Sequence, residues 1–188
     1  MATTVADDPL QPYSTQENVT LYDKNVKGED CNIYCADPVL WGRLLTSDVV
    51  RGSSVLVLPC GTGRNVWKLA GLGAARVLAC DIAPENVEFC KVHEAEEVAA
   101  AVMAVAETRG DSTAAAAPVA TTIEYSLVDA KLPTKVSPAE AGADIALAMH
   151  LFCFAESRPQ LLAMCRCIAL NIRPGGQVIC YSVSRRFP

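Results

Sequence analysis

From Ser54 onward the chain alternates short, wholly apolar runs with longer stretches whose apolar residues recur at helical spacing. Ser54-Val55-Leu56-Val57-Leu58 has no polar interruption, which is the pattern of a strand buried on both faces. Arg64 to Leu72 then places Val66, Trp67 and Ala70 on one helical face, and Gly71 and Gly73 end it. Arg76 to Cys80 reads as a second strand. Pro84 opens the next helix, with Glu85 and Glu88 facing the positive end of its dipole. That helix is expected to enter an Ala-rich extension and flexible insert at about 95–120. Thr122 to Val128 and Asp144 to Met149 are the third and fourth strands. The last helix starts at Ser157-Arg158-Pro159-Gln160, where Ser157 caps the end and Gln160 reaches back. Arg173-Pro174-Gly175-Gly176 stops it, and Gln177 to Val183 is strand five. The alternation predicts an α/β fold, a doubly wound and mostly parallel sheet with helices on both faces.

Before Ser54 the pattern is weaker. Residues 1–20 are polar, with Pro9 and Pro12 and no periodicity, and read as a mobile arm. Asp37 to Leu45 reads as a covering helix, with Pro38 in its first turn. Residues 21–188 are then a single domain, consistent with a chain of 188 residues of which 51% are hydrophobic. The net charge of −5 and the lack of any basic block argue against nucleic acid as a partner. Most of the nine Cys lie in apolar segments, as small hydrophobes do. Cys31 and Cys35 alone have a spacing that hints at metal, and no second pair or nearby His completes a site, so no metal is expected. The longest apolar run, Ile145 to Ala155, is too short to span a bilayer, and the start of the chain lacks a signal-peptide pattern. A cytoplasmic setting and no membrane partner are expected.

In such a sheet a ligand binds outside the carboxyl ends of the strands, where strand order reverses. Three features converge there. Pro59-Cys60-Gly61-Thr62-Gly63 is a glycine loop between strand one and its helix, able to approach the anionic part of a ligand. A plain tight turn has the same composition. Asp81, twenty residues after Gly61, ends strand two, where a carboxylate can accept both hydroxyls of a ribose. The same residue type also caps helices such as the one starting at Pro84. Asp129-Ala130 follows strand three, where a carboxylate can accept an adenine amine or stand solvated in a loop. His150, just past strand four, is the candidate catalytic base if an acceptor must lose a proton. A wall position beside Phe152 and Phe154 is the other reading.

The order of Val55 to Gly63, Asp81-Ile82-Ala83-Pro84-Glu85, Asp129-Ala130 and Leu170 to Gly176 resembles the class I S-adenosylmethionine-dependent methyltransferases, a Rossmann-like family. Leu161 to Arg166 and Asp48 to Gly52 are most similar to its small-molecule branch, which includes toxoflavin synthase. The resemblance implies S-adenosyl-L-methionine as cofactor and a small-molecule methyl acceptor. It places the methionine moiety on the loop Pro59 to Gly63, the ribose on Asp81, and the adenine on Asp129 and Ala130. Ile82 would pack on the adenine face, Met149 would line the sulfonium end, and Tyr22 would close over the site.

The chain departs from the family in three places. Val57 stands where the family usually has an acid, and Pro59 where it has Gly or Ala, which removes one N–H from the loop. The family also continues past strand five into a helix and an antiparallel strand pair, whereas this sequence stops at Pro188. The C-terminal antiparallel pair is thus expected to be missing, leaving an edge of strand five, Val178 to Tyr181, open to self-association. Two alternatives follow: a truncated, non-catalytic relative that binds the nucleoside or a partner chain, and a nicotinamide-dependent oxidoreductase. The latter needs Gly or Ala where Val66 stands.

Overall fold

A computed structural model describes residues 15–29, 37–109, 120–136 and 142–182. Helix α1 (Gln16–Glu29) begins inside the stretch expected to be an arm. Thr15 caps it through a bond from the Asn18 N–H, and Val19 is fully buried in the core. Its apolar residues, Val19, Leu21 and Val26, do not recur at a sustained helical spacing, so the sequence pattern missed the helix. Helix α2 is a short α segment, Asp37–Val39, that continues as a π-helix over Leu40–Leu44, and α3 (Ser47–Val50) leads into the sheet.

The sheet follows the predicted order of elements: β1 (Ser54–Val57), α4 (Arg64–Gly71), β2 (Arg76–Asp81), α5 (Pro84–Arg109), β3 (Thr122–Leu127), β4 (Ala143–Met149), α6 (Arg158–Asn171) and β5 (Ile172–Tyr181). All four pairings are parallel, and the strand order is β3-β2-β1-β4-β5. The apolar runs are strands because both faces are covered. Val55, Val57, Val77, Ala79, Ile145 and Leu147 face α1, α2, α4 and α5, while Leu56, Leu78, Ala146 and Ala148 face α6. Burying each large aliphatic side chain contributes about 1.5–3 kcal/mol.

Arg173-Pro174-Gly175-Gly176 does not precede β5 as a plain stop; it forms an excursion within it. Ile172 pairs with Ala143 and the ladder resumes with Gln177 opposite Ile145. A Cβ on Gly176 would lie 2.6 Å from Ile172 Cγ1 and 2.9 Å from the Asp144 carbonyl oxygen, which requires glycine there. Asp144 ties this corner together, accepting from the Ser54 N–H at 2.8 Å and from Arg173 Nε at 2.6 Å. The turn therefore lies at the amino end of the strands, away from the candidate site. Strand five was expected to reach Val183, which lies outside the described residues, as does most of the insert.

Helix α6 has the predicted cap, with a shifted return bond. Ser157 accepts from the Gln160 N–H, and Gln160 Oε1 accepts from the N–H of Glu156 rather than of Ser157. Asn171, at its last turn, is fully buried and fully bonded. Its Oδ1 accepts from the Val136 N–H, and its Nδ2 donates to the carbonyls of Thr134 and Cys167. It pins the β3–β4 connection to α6.

Candidate functional site

The carboxyl ends of the five strands are joined by a row of hydrogen bonds. The Val128 N–H, just past β3, donates to the Asp81 carbonyl, and the Cys60 N–H donates to the Cys80 carbonyl, each at 2.8 Å. On the other side the Leu58 N–H reaches the Leu147 carbonyl at 3.0 Å, and the His150 N–H reaches the Tyr181 carbonyl at 2.6 Å. This rim brings the glycine loop, Asp81, Ile82, Asp129, Ala130, Met149 and His150 to one edge. Tyr22 lies on α1, and its side chain falls outside the described residues.

The loop leaves a specific set of donors. The Cys60 N–H is used by β2, the Gly61 N–H by Asp81 Oδ2 at 2.8 Å, and the Gly63 N–H by the Cys60 carbonyl. Pro59 has none, and its peptide with Leu58 is cis. Thr62 and the first turn of α4 thus hold the remaining N–H groups, with no side-chain cap on that helix. This is the arrangement that receives an anion. Gly61 has φ +52° and would place a Cβ in open space, so the loop can be approached closely there. Gly63 is different: at φ +88° its Cβ would lie 2.5 Å from the Trp67 ring, so glycine is needed for packing. A hydrogen bond with Cys90 and then burial hold the Cys60 thiol well above the usual thiol range.

Asp81 is 3% exposed and does more than cap the next helix. Its Oδ1 accepts from the Ala83 N–H at 3.0 Å and from Asn86 Nδ2 at 3.3 Å, which caps α5, and its Oδ2 holds the loop through Gly61. Burial pushes its carboxyl above the ordinary range, opposed by the bonds from Ala83, Gly61, Asn86 and the Ile82 N–H. A carboxylate has about four acceptor directions, and on Asp81 protein donors already occupy most of them, so a ribose hydroxyl would share or displace the long Asn86 bond. Ile82 beside it is 39% exposed, leaving an apolar surface at the rim.

Asp129 closes a local turn, its Oδ1 accepting from the Lys131 N–H at 2.8 Å, and Ala130 is buried. Met149 ends β4 opposite Tyr181 and packs toward the α4 face. His150 adopts the left-handed conformation, φ 59°, and its ring meets Tyr181 edge to face at 5.1 Å between centroids. Asn86 and Tyr181 were missed by the sequence reading. The former sits five residues after Asp81 on the buried face of its helix, and the latter faces His150 only through strand register. No group of three or more His, Cys, Asp or Glu able to hold a metal exists among the described residues, and Cys31 and Cys35 lie outside them. No described helix is long and apolar enough to cross a membrane.

No family model and no curated protein matches the chain significantly. Solved structures do. A complex described as DhpI with SAM and HEP matches with a TM-score of 0.63 and 17% identity, covering 98% of this chain and 69% of that one. DhpI with SAH matches at 0.60 and 18%, covering 94% and 68%. A structure described as an S-adenosyl-L-methionine-dependent methyltransferase, mmp1179 of Methanococcus maripaludis, matches at 0.54 and 14%, covering 97% and 67%. The chain therefore has the Rossmann-like fold of S-adenosylmethionine-dependent methyltransferases.

Proposed function

We propose that this chain binds S-adenosyl-L-methionine at the carboxyl rim of its sheet and transfers the methyl group to a small-molecule acceptor. The observation that carries the reading is the bond from the Gly61 N–H to Asp81. It joins the glycine loop and the β2 carboxylate into one unit, beside free N–H groups at the start of α4. The donor set suits the cofactor: N–H groups for a carboxylate, the Asp81 carboxylate with its long, yielding Asn86 bond for a ribose hydroxyl, and the exposed face of Ile82 for a flat apolar base. Asp129 and Ala130 border the base, and Met149 and Tyr22 complete the proposed lining. When bound, S-adenosylmethionine supplies an electrophilic sulfonium methyl. The contribution of this chain is alignment of acceptor and methyl, worth up to about 7–11 kcal/mol in favourable cases. His150 is the proposed proton acceptor where the acceptor substrate must lose one, with Tyr181 against its ring.

Calorimetry with S-adenosylhomocysteine and NAD tests the cofactor assignment. Saturable binding of the first alone is expected, and selective binding of NAD would replace the reading with an oxidoreductase. Val66, fully buried where a dinucleotide fold wants Gly or Ala, opposes that alternative. The proposal includes a cytoplasmic setting and self-association along β5. That strand ends the sheet, with Val178 50% exposed. A non-catalytic nucleoside-binding role is the second reading, favoured by Val57 and Pro59, which depart from the methyltransferase pattern at the loop. Methyl transfer to any member of an acceptor panel excludes it.

A further inference from the structure

Arg64 is the first residue of α4, one position past Gly63, so it stands at the mouth of the loop. Its guanidinium donates through one nitrogen to Oδ2 of Asp37, at the start of α2, in an ion pair whose side chains are 25% and 11% exposed. One turn farther along both helices Lys68 lies over the Trp41 ring at 4.6 Å. These two rungs fasten the covering segment to the helix that follows the glycine loop. The first rung is incomplete. Asp37 Oδ1 is buried and accepts no hydrogen bond among the described residues. Buried charged oxygens are almost always bonded, so an orphan one marks where a donor belongs.

We propose that Asp37 and Arg64 together receive the zwitterionic amino-acid end of the cofactor, an inference that rests on the S-adenosylmethionine reading above. A zwitterion presents a cluster of N–H donors beside a pair of acceptor oxygens, and the Asp37–Arg64 pair is its complement. Asp37 Oδ1 takes the α-ammonium. Arg64 has five N–H donors in a planar fork and keeps Asp37 on one nitrogen while turning another toward the carboxylate. The free N–H groups at the start of α4 share that carboxylate. Two other positions at the loop do not offer the ammonium an open acid. Val57 is a buried valine at the end of β1, and Asp81 is already held by protein donors. The covering segment thus becomes part of the binding site instead of a passive lid.

The test compares S-adenosylhomocysteine with 5′-methylthioadenosine, which keeps the nucleoside and thioether but lacks the amino-acid end. Calorimetry is run on the full chain, on Asp37→Asn and on Arg64→Lys, with thermal melting to verify folding. Asp37→Asn should weaken S-adenosylhomocysteine by about tenfold or more, the scale of one hydrogen bond to a charged group, and leave 5′-methylthioadenosine within about twofold. Equal losses for both ligands, or no loss for either, overturn the assignment of Asp37. Should Asp37→Asn fail to fold, Arg64→Lys carries the test through the same selective loss. If the unaltered chain binds neither ligand, the cofactor reading itself fails, a result distinct from either of those.

Discussion

Replacing Asp81 with Asn probes the joint between loop and strand with little change in shape. The amide keeps one oxygen for the Ala83 N–H and Asn86, but its NH2 then faces the Gly61 N–H that the carboxylate holds at 2.8 Å. Two donors oppose each other, and that bond is lost. A hydrogen bond to a charged group contributes about 1.5–3 kcal/mol. Part of this is offset, because the buried carboxylate is itself disfavoured, as its raised pKa records. The net loss of stability is therefore about 1–2 kcal/mol, or roughly 2–8 °C in melting temperature for a domain of this size. The cofactor loses more than the fold does. Its ribose hydroxyl exchanges a carboxylate for an amide, and the loop beneath it loosens, so S-adenosylhomocysteine should bind about tenfold to a hundredfold more weakly. Circular dichroism melts and calorimetry on the same samples read both effects. An Asp81→Asn variant with unchanged melting temperature and unchanged affinity refutes the reasoning that this carboxylate organises the site.

Other perturbations follow from the same geometry. Because burial raises the Asp81 carboxyl, S-adenosylhomocysteine affinity should fall on acidification already above the ordinary carboxylate range, and the fall should vanish in Asp81→Asn. Calorimetry across pH checks this. Asp144 has the opposite sign: the Ser54 N–H, then Arg173, hold its carboxyl below the usual value. Its contribution to stability is present above the unfolded pKa and lost as pH falls through the lowered one, so Asp144→Asn should flatten that part of an acid melting series. Asn171→Ala removes three bonds from a fully buried side chain, leaving the Val136 N–H unpaired and the Thr134 carbonyl with only the weak Cys167 thiol bond, for a loss of about 2–4 kcal/mol by denaturant titration. Gly63→Ala should cost about 2 kcal/mol or more by the same measurement, from its φ of +88° and the Trp67 ring 2.5 Å from the new Cβ.

The strands were legible because a strand covered on both faces needs no polar positions, and Val55 to Val57 or Ile145 to Ala148 have none. The loop and Asp81 were legible through spacing, since the chain must turn after β1 and β2 at the same edge. What was hidden depends on contacts between distant segments. Nothing local in Gln16 to Glu29 announces that Val19 reaches the core, and nothing near Asp37 announces Arg64 twenty-seven residues away. Arg173 to Gly176 was readable as a break in the helix, but its tight packing on Asp144 emerges only when β4 and β5 pair. Asn86 and Asn171 look like polar interruptions of helices; their partners, Asp81 and the 134–136 segment, give them their roles.

The central claim, that the carboxyl rim is an S-adenosylmethionine site, is tested most directly by titrating the isotope-labelled chain with S-adenosylhomocysteine and following its amide resonances. Saturable shifts are expected at Gly61, Thr62, Ile82 and Lys131, with Arg173 and Gly175 at the opposite end of the sheet unmoved. Shifts confined to that opposite end, or none at millimolar ligand, would contradict it.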